Sequence, residues 1–203
     1  MPSANTDDPR SPFRNDCLEG TVALVTGGGS GICFEVTRQL LQHGARGAVI
    51  CGRRASFLER AAAILSQDTG ADVRFKVCDV RNPDQCQAAV DFVEETFGKL
   101  DILVNGAAGN FLAQAKDLSP RGFATVMAID AQGTFNMCRA SHRLLSQSRD
   151  SVVSDFIIFM MIVALQSIPL KVIFLIARLS TYRQHSNTEQ LGGRLMHPQP
   201  NRQ

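Results

Sequence analysis

Short apolar segments alternate along the chain with segments in which apolar residues recur every three or four positions. The first pattern is typical of buried parallel strands and the second of amphipathic helices. Strands are predicted at residues 21–26, 47–51, 72–78 and 100–105. Helices are predicted at about residues 31–43, 56–67, 83–97 and 119–147. Four strand and helix units in alternation predict an α/β fold with three layers, a doubly wound parallel sheet between two layers of helices.

The residues at the ends of these segments support the boundaries. Gly44 follows the first predicted helix, where a glycine commonly ends helices. Ser56 and Glu59 have the spacing of a capping box, so the second helix is expected to begin at Ser56. Pro83 suits the first position of the third helix because a proline needs no hydrogen-bond acceptor there.

A glycine-rich loop joins the first strand to the first helix and consists of Gly27, Gly28, Gly29, Ser30, Gly31 and Ile32. A helix N-terminus has unpaired N–H groups and the positive end of the helix dipole, which together bind phosphate. Glycines let the backbone approach a pyrophosphate closely. The loop therefore predicts a Rossmann-like dinucleotide site, and the alternative is an ordinary flexible loop.

The ends of the later strands carry further candidate binding residues. Arg53 and Arg54 stand about 20 residues past the loop, where a carboxylate would bind the ribose 2′-hydroxyl of NAD. Guanidinium groups suit a 2′-phosphate, so NADP(H) is preferred, unless these are two solvated arginines. Asp79 could accept a hydrogen bond from the adenine amino group, or it could be a turn or cap residue. Asn105 begins a run of small residues that leaves space for a dinucleotide and could tie strands together, or it could begin an ordinary turn.

Composition limits the function classes. The chain has 203 residues and a net charge of +2, which favours one domain and gives no support to nucleic-acid binding. Six cysteines without C-x-x-C spacing and four scattered histidines predict reduced thiols and no metal site. Residues 1–17 are polar, lack the apolar segment of a secretory signal and are expected to be a disordered lead-in.

Three motifs together resemble the short-chain dehydrogenase/reductase family: Thr26-Gly27-x-x-x-Gly31, Cys78-Asp79-Val80 and Asn105-Gly106-Ala107-Ala108-Gly109. Two longer runs, at residues 106–112 and 129–136, are similar to the 2,4-dienoyl-CoA reductase branch of that family. The likeness extends over about residues 18–145, and we interpret residues 18–147 as an NADP-binding Rossmann-like domain.

The resemblance implies an NADPH-dependent reductase that converts a 2,4-dienoyl-CoA to a 3-enoyl-CoA in fatty acid beta-oxidation. It implies cofactor binding by the glycine loop and by Arg53, Arg54, Ala55, Ser56, Phe57, Asp79, Asn105 and Ala107. It implies that Asp130 takes part in protonation and that the acyl-CoA is bound by Arg81, Phe111, Ser119, Pro120 and Arg121. Members of this branch are peroxisomal and homo-oligomeric, so both properties are expected by resemblance, with a cytoplasmic location otherwise.

The sequence departs from the family at Cys33, which replaces the third glycine of the loop motif. That glycine allows close packing of helix and strand, so a cysteine is expected to cost about 1–3 kcal/mol by overpacking. It should weaken the fold or the cofactor site without abolishing either.

The larger departure follows residue 147, where the family's fifth strand and its serine and lysine region are not recognisable. Residues 148–203 contain apolar runs at 156–165 and 168–177. The sole tyrosine, Tyr182, has no lysine four residues later, so the Tyr-x-x-x-Lys motif is absent. The last three residues are not a Ser-Lys-Leu peroxisomal signal. We expect a domain truncated after the fourth strand and helix unit. The tail could be a substitute edge strand or sequence that is foreign to the domain. It could also be a membrane span, but its apolar runs are short for that role. The rival function is therefore a catalytically inactive nucleotide-binding fragment.

Overall fold

The computed structural model describes residues 14–109, 117–155 and 182–183. Its strands are Val22–Thr26 (β1), Gly47–Gly52 (β2), Asp72–Val77 (β3), Ile102–Asn105 (β4), Val152–Asp155 (β5) and Tyr182–Arg183 (β6). Its α-helices are Gly31–Gln42 (α1), Ala55–Thr69 (α2), Pro83–Phe97 (α3), Pro120–Met127 (α4) and Gly133–Gln147 (α5). A π-helical turn, Ala128–Gln132, lies between α4 and α5.

The strands form one sheet in the order β3-β2-β1-β4-β5-β6. The first five strands in this order are parallel, and β6 pairs antiparallel with β5. The order reverses between β1 and β4, which is the position where open α/β sheets bind ligands beyond the carboxyl ends of their strands. The predicted doubly wound α/β fold is confirmed.

Two apolar clusters fill the space on the two faces of the sheet. Alternate residues of β1 point to opposite faces. Val22 and Leu24 belong to the cluster that contains residues of α3 and α5, while Ala23 and Val25 belong to the cluster with α1 and α2. Every residue of β1 is buried, so the central strand is covered on both sides and the fold has three layers.

The sheet does not end after the fourth strand, which corrects the expected truncation. β5 pairs with β4 from Ile102↔Val152 to Asn105↔Asp155, inside the region that the sequence analysis assigned to a divergent tail. Asp101 supports this pairing by hydrogen bonds at the amino-terminal ends of β5 and β1. Its backbone oxygen accepts from Val152 N at 2.9 Å, and its carboxylate accepts from Val22 N at 2.9 Å and Ser148 Oγ at 2.6 Å.

The start of α2 differs from the predicted capping box. The helix begins at Ala55, its N-cap residue is Arg54, and no side chain caps it. Ser56 is therefore the second residue of the helix. The predicted start of α3 is confirmed, with Pro83 in its first turn and Asn82 Oδ1 accepting from Asp84 N and Gln85 N.

The two long apolar runs of the tail lie outside the described residues, as does Phe111. Among the helices that the structure describes, none is both long and apolar enough to cross a membrane. The same residues contain no group of three or more His, Cys, Asp or Glu side chains arranged to hold a metal ion.

Candidate nucleotide-binding site

The glycine loop turns sharply between β1 and α1. Gly27 has φ +73°, and a β-carbon there would lie 2.6 Å from the Gly106 carbonyl oxygen. Gly31 has φ +62°, but a β-carbon there would meet open space. Gly27 is therefore required both by its backbone conformation and by the close approach of the loop after β4, whereas Gly31 is required by conformation alone.

The N-terminus of α1 has no cap from its own side chains. Ser30 is the N-cap residue, its hydroxyl makes no capping hydrogen bond, and the first turn contains no acidic residue. α2 begins in the same way, behind Arg54. By contrast, Asn82 caps α3 and Ser119 caps α4. The two helices that start at the carboxyl ends of β1 and β2 thus leave their N–H groups and positive dipole ends available to an anion.

A cleft of about 380 Å³ opens at these strand ends. Nine of the predicted cofactor residues line it: Gly27, Gly29, Ser30, Ile32, Arg53, Arg54, Phe57, Asp79 and Ala107. Five others do not line it: Gly28, Gly31, Ala55, Ser56 and Asn105. Gly28 instead faces β2, where a β-carbon would lie 2.7 Å from Ile50 Cγ2. Cys51, Cys78, Val80 and Ile129 also line the cleft but were not predicted to do so. The first three stand at or just beyond predicted strand ends, whereas Ile129 lies within the long predicted helix and had no such signal.

The guanidinium groups of three arginines lie on or near one side of the cleft. The Arg54 guanidinium carbon lies 3.8 Å from the centroid of the Phe57 ring, and that of Arg60 lies 5.0 Å from it. Arg53 is close enough to Asp79 for its charge to lower the pKa of that carboxyl. β2 ends without a carboxylate of its own, because Gly52, Arg53 and Arg54 follow Cys51. This side of the cleft is suited to an additional phosphate.

Asp79 has an arginine partner two residues along the chain. Arg81 Nε donates to Asp79 Oδ1 at 2.9 Å and to Oδ2 at 3.1 Å, and Arg81 N donates to Oδ1 at 3.1 Å. The hydrogen bonds from Arg81 hold the pKa of the Asp79 carboxyl below its usual value. Two predicted roles therefore meet in one ion pair, since Asp79 was expected to contact adenine and Arg81 to contact the acyl-CoA.

Asp130 lies in the π-helical turn and is 2% exposed. Its Oδ1 accepts from Gly109 N at 2.9 Å, and its buried Oδ2 has no hydrogen-bond partner among the described residues. Burial raises the pKa of the carboxyl, and the bond from Gly109 only partly opposes this shift. π-helical turns frequently mark functional sites. Asp130 does not line the cleft itself, but its neighbour Ile129 does.

Asn105 links the two strands on the far side of β1. Its Nδ2 donates to Asp155 Oδ1 at 2.8 Å and lies 3.4 Å from Cys138 Sγ. The predicted tie between strands is confirmed, and it connects β4 to β5. Its Oδ1 is buried without a partner among the described residues.

Cys33 is packed against the loop that follows β4. Its Sγ lies 3.7 Å from the Gly106 carbonyl oxygen, to which the thiol donates. A β-carbon on Gly106 would lie only 2.0 Å from this sulfur. Burial raises the pKa of the thiol. Because residue 106 has no side chain, there is space for the Cys33 sulfur. This space relieves the overpacking that was expected from a cysteine at residue 33.

The predicted substrate corner forms the start of α4. Ser119 Oγ accepts from Gly122 N at 3.0 Å, and Pro120 occupies the first turn. Ser119, Pro120 and Arg121 do not line the cleft described above. Their arrangement is that of a capped helix start, and a contact with substrate stays a prediction.

The family is decided by comparison with known proteins. The sequence model of the short chain dehydrogenase family matches residues 21–154. The chain belongs to the short-chain dehydrogenase family. The match includes the first three of the four residues of β5.

Curated relatives show which branch of the family the chain resembles. A peroxisomal 2,4-dienoyl-CoA reductase of Arabidopsis thaliana is 50% identical over 144 residues, which are 70% of this chain and 48% of that protein. The chain therefore spans about half the length of the curated relatives it matches. The resemblance to this branch that the sequence predicted is confirmed.

Solved structures of short-chain dehydrogenases share the fold. One from Bacillus anthracis is 36% identical with a TM-score of 0.59 and covers 64% of this chain and 53% of its own. An alcohol dehydrogenase from Thermococcus sibiricus, complexed with 5-hydroxy-NADP, is 26% identical with a TM-score of 0.59. It covers 64% of this chain and 55% of its own.

Proposed function

We propose that the cleft binds NADPH. The observation that carries this proposal is the convergence of two uncapped helix N-termini and two arginines on one cleft. A dinucleotide pyrophosphate would accept from the N–H groups at the start of α1, beside Gly27 and Ser30. The NADP derivative bound by the Thermococcus relative agrees with this choice.

The adenosine 2′-phosphate is assigned to Arg53 and Arg54. Bidentate guanidinium bonds to phosphate contribute about 1.5–3 kcal/mol each, so Arg53→Gln should weaken NADPH binding at least about tenfold. Binding of NADH, which lacks this phosphate, should stay almost unchanged. Arg60→Gln is the matched control, because Arg60 contacts the same Phe57 ring but does not line the cleft. Equal losses for NADPH and NADH in Arg53→Gln would contradict the assignment.

We further propose the activity of the dienoyl-CoA reductase branch, in which NADPH supplies the hydride. Asp130 would hold a proton on Oδ2, the oxygen that Gly109 leaves free, and release it toward the substrate carbon that must be protonated. Burial raises the pKa of this carboxyl, which favours the role because its acid form then persists to a higher pH than usual. Arg81, Phe111, Ser119, Pro120 and Arg121 are the proposed acyl-CoA contacts.

The rival function is a chain that binds the nucleotide without turnover. A specific observation favours it: among the described residues that line the cleft there is neither lysine nor tyrosine. Oxidation of NADPH by the purified chain with a 2,4-dienoyl-CoA separates the two functions. Turnover that falls at least about a hundredfold in Asp130→Asn but persists in Arg60→Gln would support the reductase. NADPH binding without turnover would support the rival.

The cellular setting is proposed from the relatives alone. The Arabidopsis relative is named as a peroxisomal protein. We propose the same compartment for this chain, an acyl-CoA as its substrate and a homo-oligomeric state. Fluorescence microscopy of the tagged chain with a peroxisomal marker tests the location, and a cytoplasmic signal would contradict it. Light scattering of the purified chain tests its oligomeric state, and a monomer would contradict that part.

A further inference from the structure

The turn that follows β3 packs against α5 and carries two charged side chains at the edge of the cleft. Its middle residue, Val80, is buried. The Val80 carbonyl oxygen accepts from Asn136 Nδ2 at 2.9 Å. A β-carbon on Gly133 would lie 2.4 Å from Val80 Cγ2, so the first turn of α5 is in close contact with the turn. The backbone that carries Asp79 and Arg81 is therefore held in place by α5.

Arg81 leaves one acceptor position of the Asp79 carboxylate unoccupied. An ionised carboxylate has about four such positions, two on each oxygen. Arg81 Nε donates mainly to Oδ1, at 2.9 Å against 3.1 Å to Oδ2, and Arg81 Nη2 donates to Oδ2. Arg81 N takes the second position on Oδ1 at 3.1 Å. The second position on Oδ2 has no donor among the residues that the structure describes, and Asp79 lines the cleft.

The environment of Asp79 favours the ionised form of its carboxyl. The hydrogen bonds from Arg81 and the nearby charge of Arg53 hold the pKa of this carboxyl below its usual value. An ionised carboxylate accepts hydrogen bonds and donates none. The proposed function assigns the 2′-phosphate to Arg53 and Arg54, and adenine is bonded to the same ribose as that phosphate. On this assignment, the base lies on the side of the cleft that Asp79 borders.

We propose that Arg81 is a positioning residue for base recognition, which holds the Asp79 carboxylate in one orientation so that Oδ2 selects a base with an exocyclic amino group. The amino group of adenine donates to the remaining position on Oδ2, whereas the carbonyl oxygen of hypoxanthine would meet a negative charge there. This role rests on the proposed nucleotide function. It is separate from the acyl-CoA contact proposed for Arg81, because it operates without an acyl-CoA.

The test compares the dissociation constants of NADPH and its hypoxanthine analogue, in which a carbonyl oxygen replaces the adenine amino group, without acyl-CoA. The wild-type chain should bind NADPH about 10- to 100-fold more tightly, because the analogue loses a hydrogen bond to a charged group. Asp79→Asn should bring this ratio close to one, because an amide both donates and accepts. Arg81→Gln should lower the ratio about three- to tenfold, because NADPH alone must then order a rotating Asp79 side chain.

Two further variants separate orientation from charge. Arg74 Nε donates to Asp72 Oδ1 at 2.6 Å, in an exposed ion pair of the same spacing at the start of β3. Arg74→Gln removes the same charge away from the cleft and should leave the ratio at the wild-type value. Arg81→Lys keeps the charge but lacks the planar group that bonds both carboxylate oxygens, so its ratio should stay near that of Arg81→Gln. A full wild-type ratio in Arg81→Lys would overturn the orienting role.

Other results would also overturn this role. Equal dissociation constants of the two nucleotides for the wild-type chain would contradict base recognition by Asp79, and this comparison needs no variant to fold. An unchanged ratio in Arg81→Gln together with a lost ratio in Asp79→Asn would show that Asp79 acts without Arg81. A wild-type chain that binds neither nucleotide would contradict the proposed function itself. The failure of the proposed function is therefore distinguishable from the failure of the positioning role.

Discussion

The contact between Cys33 and Gly106 makes a quantitative prediction about the wall of the cleft. A β-carbon on Gly106 would lie 2.0 Å from Cys33 Sγ but 3.5 Å from Cys33 Cβ. Carbon atoms pack best at about 3.5–4.0 Å, so the sulfur alone causes the severe overlap. Gly106→Ala should therefore lower the free energy of unfolding by about 1–3 kcal/mol. Cys33→Ala removes the sulfur and should cost about 1 kcal/mol by itself.

The two substitutions should compensate for each other when combined. Urea unfolding of the four proteins, followed by circular dichroism, gives the interaction free energy of this double-mutant cycle. We expect about 1–2 kcal/mol of favourable interaction, short of full rescue because the Thr26 carbonyl oxygen lies 3.0 Å from the new β-carbon. Gly29→Ala with Cys33→Ala is the control, because a β-carbon at Gly29 meets Leu58 instead. Additivity within about 0.5 kcal/mol for the Gly106 pair would refute the reasoning.

Three further stability predictions follow from the site. Gly27→Ala should destabilise the chain by about 2–4 kcal/mol and Gly31→Ala by about 1–2 kcal/mol, because both have positive φ but only Gly27 meets the backbone of another loop; equal urea midpoints would contradict this. Asn82→Ala removes the cap of α3 and should lower the free energy of unfolding in urea by about 1 kcal/mol. Ser30→Ala should leave it almost unchanged, because Ser30 does not cap α1, and equal losses would contradict this. Because burial raises the pKa of Asp130, the folded chain binds more protons than the unfolded chain above about pH 4, so stability falls as pH rises through that window. Asp130→Asn should flatten this fall in urea midpoints measured from pH 4 to 7, and an unchanged pH dependence would contradict the shift.

The sequence could predict the first four strands and the position of the cleft because both depend on local patterns. Buried apolar runs end at polar or glycine positions, and parallel strands bring those ends to one edge of the sheet. The β5 strand, Val152–Asp155, escaped prediction because its residues are all half-buried and adjoin a longer apolar run. Its pairing depends on Asp101, 51 residues earlier in the chain, which no local pattern reveals.

Side-chain pairing at the site was also beyond local patterns. The spacing of Ser56 and Glu59 indicated a cap, but α2 starts one residue earlier, directly behind the end of β2. A π-helical turn of five residues leaves almost no trace in the apolar periodicity of a long helix, so the setting of Asp130 could not be read from the sequence. The space for Cys33 comes from Gly106, 73 residues away in the chain. Such complementary pairs appear only when the fold brings distant segments together.

The central claim is that the cleft selects a nucleotide with a 2′-phosphate. The most direct test is the ratio of the dissociation constants of NADPH and NADH for the wild-type chain, measured by nicotinamide fluorescence under identical salt conditions. One or two charge-assisted bonds from Arg53 and Arg54 predict tighter binding of NADPH by about 10- to 100-fold. Equal dissociation constants, or tighter binding of NADH, would contradict the account.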